Sequence, residues 1–581
     1  MKTPKEIIHT LLVQAFEFKN REENQTWRPE NMNIKIMPTD RRFGDYSASF
    51  LKGIAHGTET EEEIFRGFIE DGWNKMDSDE KKYVEPLSAE SFKSGFINFR
   101  MSDRFYEDAF KESDTWSKGN EGAGKTVILD YFQLNIAKEP HVGHLRSAVI
   151  GDALKRVLLA RGYRTIADTH VGDWGTQFGI LLYAYKKAIA GKSKKIDEIK
   201  DNPFVALQEL YVLANEEEDV HEKGKAEFAK LEQGDSENRA IWEWMVDISM
   251  KKLGDNAARL DLLPFEEHRG ESVYESAMPP IVEEALRTGI AKKTDDGAVV
   301  VDLSEEGLDE AVLVKSDGAT TYLLRDLATI KYRVSAYHFW KNLYVVDNRQ
   351  SHHFRQVFRV AELLGFEGVG ASEHIEFGFM KLPEGAMSTR KGTVVLLEAV
   401  LDEAERRARA VIQEKNPGLH NKEAVARSVG LGAIKFFDLS HNRKSDIVFR
   451  FEDALSFEGR TGPYIQYTHA RLKSILRKST DEILDHFSVH AALDTKEREL
   501  LLHSVQLAEV LQRVIEGWFP HLLADYLFEL AQAANEFYHS HPILTEKDTE
   551  KRTTLLMIVR VVAKTLATGL DLLGIEAPDE M

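Results

Sequence analysis

The chain of 581 residues contains no cysteine. This absence excludes disulfide frameworks, catalysis by a thiolate and every zinc site that depends on sulfur ligands. It fits a reducing compartment, and we expect a cytoplasmic location. The apolar runs are far shorter than the ~20 residues that span a bilayer. The N-terminal segment also lacks the apolar block and small-residue cleavage site of a secretory signal, so no membrane partner is expected.

Basic residues are in deficit, with 76 Lys and Arg against 96 Asp and Glu and a formal net charge of −20. Taken over the whole chain, this balance argues against a nucleic-acid binder, because phosphate neutralisation needs basic side chains. The charge is uneven, however. Residues 431–480 hold nine Lys and Arg against five Asp and Glu, a local net charge of +4. We therefore expect one basic face in the C-terminal region.

The length and the residue patterns predict a multidomain α/β protein, because 581 residues exceed one ordinary hydrophobic core. Residues 1–115 are predicted to form an N-terminal α/β domain. Residues 120–400 are predicted to form a Rossmann-like parallel-sheet domain with a charged helical insertion at about 183–290. Residues 401–581 are predicted to form an all-α domain, because the periodicity is helical almost throughout from about Ser428 to the end.

The parallel sheet is predicted from strand-like segments and their spacing. VILDYF (127–132) and TIADTHV (165–171) enclose a segment with helical apolar spacing. Strand, helix and strand with short connectors make the repeating unit of a parallel sheet. The sheet is expected to resume at 311–326 and 343–347, with a further strand near 375–382.

One glycine-rich motif matches a phosphate-binding loop without its structural context. GNEGAGKT (119–126) fits G-x-x-x-x-G-K-[ST]. That loop binds phosphate between a strand and a helix whose N-terminus faces the ligand. Here a polar segment precedes the motif and a strand-like segment follows it. We interpret the motif as a connector.

The segment after the first predicted strand carries the strongest candidates for chemistry. His141 and His144 flank Gly143 in an H-x-G-H pattern at the start of a predicted helix. A metal pair or two surface histidines is the alternative, but no third ligand stands at suitable spacing, and no metal site is predicted. As the turn of a nucleotide-binding sheet, the pattern lets adenine lie against Gly143 while both imidazoles donate to ATP phosphates. Lys138 adds positive charge nearby.

A second candidate segment, LPEGAMSTRKGTVV (382–395), is basic and rich in hydroxyl groups. By itself it is typical of a charged surface loop. Together with H-x-G-H it is predicted to form the other half of a divided ATP clamp. Its candidate ATP-binding residues are Met387, Ser388, Thr389, Arg390 and Lys391. The candidate catalytic residues are Lys138, His141, His144, Ser388 and Lys391.

Several segments, in one order, resemble the class I aminoacyl-tRNA synthetases and among them the arginyl-tRNA synthetases. They are HVGHLRS, HVGDWGTQFG, MSTRKG and EGRTGPYIQYTHARLKSILRK, followed by the C-terminal LLGIEAPDEM. The resemblance runs from about Phe43 to Met581. It implies an enzyme that uses ATP with Mg²⁺ to convert L-arginine to arginyl-adenylate. The arginine is then transferred to tRNA(Arg), with release of AMP and pyrophosphate.

The same resemblance implies partners and domain roles. The C-terminal helices resemble an anticodon-binding domain, in which Tyr464, Tyr467, Arg471 and Lys473 are candidate tRNA contacts, together with His469. Such domains read unpaired bases through aromatic stacking and basic side chains, although some of these residues belong to the helix core in the alternative interpretation. The N-terminal domain resembles the additional domain with which arginyl enzymes touch the tRNA elbow. A monomer is expected.

Specificity for arginine requires carboxylates, because the guanidinium group is a planar fork of donors with a permanent charge. The resemblance assigns Tyr322, Asp326 and Gln350 to the guanidinium side. It assigns Asp130 and Asn135 to the α-amino end. If residues 322–326 are helical, Tyr322 and Asp326 share one face. In the alternative interpretation Asp326 is a surface cap or ion-pair partner, and Tyr322 is plain core.

The sequence departs from the family pattern in the second loop. The usual Lys-Met-Ser-Lys-Ser motif has Ala386 at its first position and Thr389 at its fourth, so its standard lysine is missing. The resemblance implies that Lys138 compensates, with Lys391 and Arg390 as open alternatives.

Two rival functions remain open from the sequence. One is another class I synthetase or a small-molecule adenylyltransferase, although a neutral substrate does not require both Asp130 and Asp326. The other is a tRNA-binding paralogue without catalysis, although the H-x-G-H residues are intact.

Overall fold

A computed structural model describes residues 2–22, 34–39, 42–49, 67, 69–88, 91, 96–111, 116–191, 199, 202–381, 396–481 and 488–581. The chain forms two compact units. The first consists of Met1–Lys118, Thr468–Gln512 and Glu529–Thr568, and the second of Gly119–Tyr467, Arg513–Phe528 and Gly569–Met581. Within the described ranges, none of the helices combines the length and apolar composition that a membrane span needs.

The secondary-structure elements are numbered in chain order. The α-helices are α1 (Pro4–Glu22), α2 (Asp103–Lys111), α3 (Val142–Ala160), α4 (Thr176–Ala190), α5 (Pro203–Ala214), α6 (Val220–Glu232), α7 (Ser236–Arg259), α8 (Met278–Arg287), α9 (Tyr322–Tyr337), α10 (Ser351–Leu363), α11 (Leu397–Lys415), α12 (Lys422–Leu439), α13 (Phe451–Ala454), α14 (Gly462–Lys478), α15 (Thr495–Val505), α16 (Leu507–Gly517), α17 (His521–Ser540) and α18 (Thr549–Leu572). The strands are β1 (Lys35–Pro38), β2 (Tyr46–Ser49), β3 (Phe96–Phe99), β4 (Thr126–Asp130), β5 (Arg164–Asp168), β6 (Ala291–Lys293), β7 (Val299–Val301), β8 (Ala311–Val314), β9 (Lys341–Tyr344), β10 (Ser372–His374), β11 (Met380–Lys381) and β12 (Ile447–Val448).

In the first unit, α1 starts with a reciprocal cap. The Thr3 amide donates to Glu6 Oε2 at 2.7 Å, and the Glu6 amide donates to Thr3 Oγ1 at 3.2 Å. Apolar side chains recur at helical spacing along the helix and are buried. They are Ile7, Ile8, Leu11, Leu12, Ala15 and Phe16. The antiparallel sheet β1–β2–β3 belongs to the same unit, which confirms the predicted α/β character of the N-terminal region.

The first unit also contains C-terminal helices that pack against the N-terminal elements. Glu509 on α16 accepts a hydrogen bond from the Tyr46 hydroxyl at 3.2 Å. The Arg498 guanidinium on α15 donates to Asp103 Oδ1 at 2.6 Å. Residues from both ends of the chain therefore share one compact unit. The domain boundaries at 115, 120, 400 and 401 stay predictions.

The second unit is built on a parallel sheet with the strand order β10–β9–β4–β5. The strand β4 carries an uninterrupted run of buried residues, Val127 to Asp130, as expected for a strand covered on both faces. Asp130 pairs with Asp168 of β5 and with Tyr344 of β9. The chain continues from β4 to β5 on one side, and β9 lies on the other. The carboxyl end of β4 is therefore a topological switch point, where ligands of such sheets bind.

The predicted strands at 127–132, 165–171 and 343–347 are confirmed, but the prediction that this sheet resumes at 311–326 is wrong. The strand β8 pairs with β7 in a separate antiparallel sheet, β6–β7–β8. Its residues alternate between buried and half-buried, as in a strand with one covered face. A short apolar run has the same appearance in either sheet, because its pairing partners are distant in sequence.

The strand predicted near 375–382 is also reassigned. The fourth strand of the parallel sheet is β10, which ends at His374. Among residues 375–381, which the structure describes, only β11 is a strand, and it pairs with β12 rather than with the main sheet. Residues 119–125 form turns before β4, and β4 itself follows them, which confirms that the glycine-rich motif is a connector. Helices α4 to α8 occupy the stretch predicted as an insertion.

Candidate active site

The H-x-G-H turn lies at the N-terminus of α3, in the segment that follows β4. His141 is the N-cap of this helix. Its Nδ1 accepts a hydrogen bond from the Gly143 amide at 3.0 Å, and Nδ1 of His144 accepts one from the His141 amide at 3.1 Å. The two ring centroids lie 3.9 Å apart. Two backbone amides that a helix start leaves without intrahelical partners are thus satisfied by imidazoles.

These two hydrogen bonds assign the tautomers of both rings. A ring nitrogen that accepts from a backbone amide carries no proton, so the proton of the neutral ring is on Nε2. Burial lowers the pKa of His144 to about 3. Burial also lowers the pKa of His141, and the charges of Arg349 and Lys138 lower it further. Both rings are therefore neutral near pH 7, and each has one Nε2–H donor available for an anionic ligand.

Gly143 is required by the packing of this turn. A Cβ at this position would lie 2.7 Å from Cε1 and 2.8 Å from Nδ1 of His141. Any larger residue would push the imidazole out of its cap. Packing is therefore one reason for a glycine at position 143. The approach of adenine to Gly143 would be a second reason, and it stays a prediction.

A narrow cleft adjoins the segment that leads to this turn. Lys138 lines the cleft, and its Nζ donates to Gln177 Oε1 at 3.2 Å and lies 5.6 Å from the centre of the Tyr211 ring. Burial lowers the pKa of Lys138. The other lining residues that bear on function are Asn135, Gly172, Trp174, Glu271 and Tyr322. Lys138, predicted for ATP, therefore lines the same cleft as Asn135 and Tyr322, which were predicted for arginine.

Glu271 is a cleft residue that the sequence analysis missed. Its Oε2 accepts a hydrogen bond from Arg325 Nη1 at 3.0 Å, and the Arg325 guanidinium lies 5.0 Å from the Tyr322 ring centre. Burial raises the pKa of Glu271 to about 7. A carboxyl that titrates near neutral pH and lines a cleft is a candidate functional group. No local pattern marks it, because its partners are on α9.

Asp326 and Gln350 do not line this cleft. The predicted helix at Tyr322 is confirmed, since α9 begins there, and Asp326 lies one turn later. Asp326 Oδ2 is 2.6 Å from Nε2 of His353, and its Oδ1 is 4.0 Å from Nε2 of His170. Gln350 is exposed at the end of a short 3₁₀ segment. Their assigned roles stay predictions.

Asp130 is fully buried and pairs with an arginine of the protein itself. Arg333 Nη2 lies 2.7 Å from Asp130 Oδ2 and 2.9 Å from Asp168 Oδ2. Burial opposes a charge on the nearby His170, but the carboxylates of Asp130 and Asp168 outweigh it, so the pKa of His170 is raised. The structure does not bring Asp130 into the cleft. Its predicted contact with the α-amino group stays a prediction.

The remaining candidate residues belong to the second loop and to α14. Met387, Ser388, Thr389, Arg390 and Lys391 lie outside the described residues. On α14, Tyr464 packs 5.6 Å from Phe528 between ring centroids, and Tyr467 is 40% exposed. Arg471 donates to Asn535 Oδ1 at 2.6 Å and lies 5.3 Å over the Tyr538 ring. Lys473 is half-buried and His469 is buried.

Comparisons with known proteins assign the chain to a family. Residues 111–451 match the model of the class I tRNA synthetase (R) catalytic domain, and residues 465–581 match the DALR anticodon binding domain. The chain is 40% identical over 496 residues to the arginine–tRNA ligase of Alkaliphilus metalliredigens, covering 84% of this chain and 86% of that protein. The chain belongs to the arginyl-tRNA synthetase family. The arginine–tRNA ligase of Halothermothrix orenii is 38% identical over 497 residues, with the same coverage.

Solved structures of this family have the same fold. The Thermus thermophilus arginyl-tRNA synthetase matches with a TM-score of 0.78 and 26% identity, covering 99% of this chain and 100% of that one. The Plasmodium falciparum arginyl-tRNA synthetase matches in fold with a TM-score of 0.79 and 23% identity over 100% of both chains.

Membership of the family confirms the predicted fold class and activity. The chain is a class I arginine–tRNA ligase, with a parallel-sheet catalytic domain and a helical anticodon-binding domain. Its substrates are arginine, ATP and tRNA. The rival assignments to a different synthetase, a small-molecule adenylyltransferase or a non-catalytic paralogue are set aside.

Proposed function

We propose that the His141–His144 turn binds the triphosphate of ATP and that the adjoining cleft holds arginine. The observation that carries this proposal is the reciprocal cap, which leaves each neutral imidazole with an Nε2–H donor. Neutral donors stabilise charge that develops on phosphate oxygens, and they hold their proton while doing so. Lys138 supplies positive charge beside them.

The reaction needs positioning rather than an enzyme nucleophile. The arginine carboxylate attacks the α-phosphorus of ATP, the bond to the bridging oxygen breaks, and pyrophosphate leaves. The terminal adenosine hydroxyl of tRNA then attacks the carbonyl carbon of the adenylate, and AMP leaves. Holding the reactants in line accounts for much of such catalysis. We propose Mg²⁺ as the companion of ATP, because phosphate oxygens are the hard ligands that it prefers.

The residues of the second loop are proposed to act on the same triphosphate. Met387, Ser388, Thr389, Arg390 and Lys391 provide hydroxyl, amide and cationic groups of the kind that bind phosphate. The burial of Lys138 and its contacts with Gln177 and Tyr211 support its assignment as the replacement for the missing loop lysine.

The arginine pocket is proposed to combine the cleft residues Glu271 and Tyr322 with Asp326, which lies outside the cleft lining, one helical turn after Tyr322. The α-amino end of arginine is proposed to bind at Asn135. Glu271 already pairs with the guanidinium of Arg325, so its environment suits the planar cation of the substrate. A lysine substrate would be disfavoured, because its compact ammonium does not reproduce the fork of donors. The ion pair between Asp130 and Arg333 is proposed to hold the carboxyl end of β4 in position beneath this pocket.

The remaining partner assignments are proposals of the same kind. Tyr467 is exposed enough to stack on an unpaired base. Tyr464, Arg471 and Lys473 lie on the same helix, α14, and are proposed as further contacts. The N-terminal domain is proposed as a second tRNA contact. The predicted monomeric state and cytoplasmic location stay predictions.

The pocket assignment is tested with Glu271→Gln and Asp326→Ala in steady-state arginylation. Losing a charged partner inside a pocket costs about 3–5 kcal/mol, so we expect the KM for arginine to rise by two or more orders of magnitude. The KM for ATP should stay within about threefold. Glu275→Gln is the matched control, since Glu275 belongs to the same 3₁₀ segment but does not line the cleft. An arginine KM that remains within threefold of wild type in both variants would remove the pocket assignment.

A further inference from the structure

Asp494, Glu497 and His541 form a compact cluster in the first unit. One ligand-type atom from each side chain lies within 4.8 Å of the others. Asp494 is the N-cap of α15, and His541 directly follows α17. No other group of three histidine, aspartate or glutamate side chains converges in this way in the part of the chain that the structure describes.

The helix cap holds both carboxylates in fixed orientations. Asp494 Oδ1 accepts from the Glu497 amide at 3.0 Å, and Glu497 Oε2 accepts from the Asp494 amide at 2.8 Å. Lys551 Nζ also lies 2.7 Å from Glu497 Oε2. One oxygen of each carboxylate is therefore occupied. The other oxygens, Asp494 Oδ2 and Glu497 Oε1, lie 2.8 and 3.7 Å from Nε2 of His541.

Glu497 Oε1 is a buried acceptor. Glu497 is 0% exposed, and this oxygen has no hydrogen-bond partner among the residues that the structure describes. Leaving a buried charged acceptor without a partner costs free energy. A ligand that occupies the space between Oε1 and the other two atoms would remove this cost.

The imidazole of His541 is oriented as a ligand for a cation. Its Nδ1 lies 3.0 Å from the carbonyl oxygen of Phe537, which only accepts, and 3.0 Å from Ser540 Oγ. The Ser540 hydroxyl donates to the Glu536 carbonyl at 2.9 Å, so Nδ1 carries a proton. In the neutral ring the lone pair is then on Nε2, 2.8 Å from a carboxylate oxygen. Two acceptors repel at that distance unless a proton or a metal ion lies between them. An Nδ1–H that donates to a backbone carbonyl is the usual support of a metal-binding histidine.

We propose that Asp494, Glu497 and His541 bind a first-row transition dication, with Zn²⁺ as the best fit. Ligand bonds of about 2.0–2.2 Å in a tetrahedral site separate ligand atoms by about 3.4 Å. The observed separations of 2.8 and 3.7 Å from Nε2 bracket that value. One imidazole with two carboxylates favours Zn²⁺ over Ca²⁺ or Mg²⁺, which prefer oxygen ligands alone. Water completes the coordination.

The neighbouring charges are compatible with a dication. The two carboxylates and the ammonium of Lys551 together leave one net negative charge around the His541 ring. Lys551 contacts Oε2 and not Oε1, and it also donates to the carbonyl of Ala492 at 3.0 Å. It therefore fixes the Glu497 carboxylate without filling the cation position. The bound ion would clamp the start of α15 to the end of α17.

The test uses full-length, tag-free protein that has been stripped with a chelator. Zinc chloride is titrated in competition with a chromophoric chelator, and zinc per chain is measured after desalting. We expect one zinc ion per chain at this site, with an affinity that falls at least about 100-fold in His541→Phe. His539→Phe is the matched control, because His539 is exposed on α17 and is not in the cluster. Zinc should also raise the thermal midpoint of wild type and of the control, but not of His541→Phe.

Glu497→Gln provides a second variant if His541→Phe does not fold. Glutamine serves in a capping box as glutamate does, so this variant keeps the helix start and removes a charged ligand. It should lose zinc in the same way. Equal zinc binding by wild type and either variant would overturn the site. Failure of wild type to bind zinc at micromolar free concentration would overturn it too, and would leave a plain ion pair between protonated His541 and Asp494.

Discussion

The two ends of an α-helix give histidine opposite chemistry in this protein. At the start of α3, backbone amides donate to Nδ1 of His141 and His144, so the rings keep their protons on Nε2. Beyond the end of α17, the Phe537 carbonyl accepts from Nδ1 of His541, so the lone pair of the neutral ring is on Nε2. The first pair presents donors, and the second site presents an acceptor.

The difference follows from the orphan groups at helix termini. A helix start exposes N–H groups, so the nearest imidazole nitrogen accepts and the other nitrogen of the neutral ring is a donor. A helix end exposes C=O groups, so the nearest nitrogen donates and the other is an acceptor. A histidine at a helix start is suited to phosphate oxygens, while one at a helix end, facing carboxylates, is suited to a cation. The residue type alone does not distinguish these roles.

The largest effect is expected when His144 loses its distal Nε2 donor while the cap that its proximal Nδ1 provides is kept. In His144→Asn the amide oxygen replaces Nδ1 in the cap, but the distal donor is lost. We expect the turnover number of arginylation to fall by about 10²–10³, as for loss of one oxyanion donor, while the protein stays folded. Rates at saturating arginine, ATP and tRNA measure this.

His144→Gln makes the converse change, because glutamine reaches the Nε2 position but does not cap from Nδ1. It should recover part of the activity and lose about 0.5–2 kcal/mol of stability, the usual value of a cap. Full activity in the asparagine variant would contradict the role of His144 as a phosphate donor, since its distal nitrogen would then be dispensable.

A smaller effect is expected from Gly143→Ala, because this variant retains both histidine side chains. The new Cβ would lie 2.7 Å from the His141 ring, so the ring must move and its donor is misplaced. We expect kcat/KM for ATP to fall about 10- to 100-fold, as misplacement of about 1 Å often costs. Gly254→Ala on α7 is the control, because a Cβ there meets nothing within 4 Å. Activity within twofold of wild type would show that the ring position is not critical.

The H-x-G-H turn could be predicted from sequence because its physics is local. A buried apolar run makes β4, and a glycine between two histidines marks the helix start. Glu271 and Arg333 could not be found in this way, since their burial depends on elements far along the chain. The strand β8 was misplaced for the same reason, because a four-residue apolar run does not indicate its partner.

The proposed cation site shows the same division between local and distant information. Asp494 and Glu497 form a D-x-x-E capping signature that a sequence reader can recognise. His541 belongs to another helix end, and nothing in the sequence pairs it with Asp494. Only the packing of α15 and α17 brings the three side chains together. The helix cap is therefore a candidate binding site only because tertiary packing places His541 beside it.

The smallest predicted effect concerns pH, and it isolates the neutral state of His144. Its pKa is about 3 in the folded protein and about 6.5 in an unfolded chain. Between these values the unfolded chain binds a proton that the folded protein does not, so stability falls as the pH falls below about 6.5. The slope for one such group is at most about 1.4 kcal/mol per pH unit.

Amide hydrogen exchange in α3 measures this loss locally, which avoids assuming that a protein with two compact units unfolds in one step. Between pH 7 and pH 5.5, the opening free energy of α3 in wild type should fall by up to about 1 kcal/mol more than in His144→Asn. The asparagine variant keeps the cap and the other histidines but has no titratable side chain at position 144. Parallel pH dependence in the two proteins would mean that His144 gains its proton as easily when folded as when unfolded. About a quarter of the His144 rings would then be protonated at pH 7, because a pKa of about 6.5 lies close to neutrality, and the neutral donor would not be the sole state of the ring.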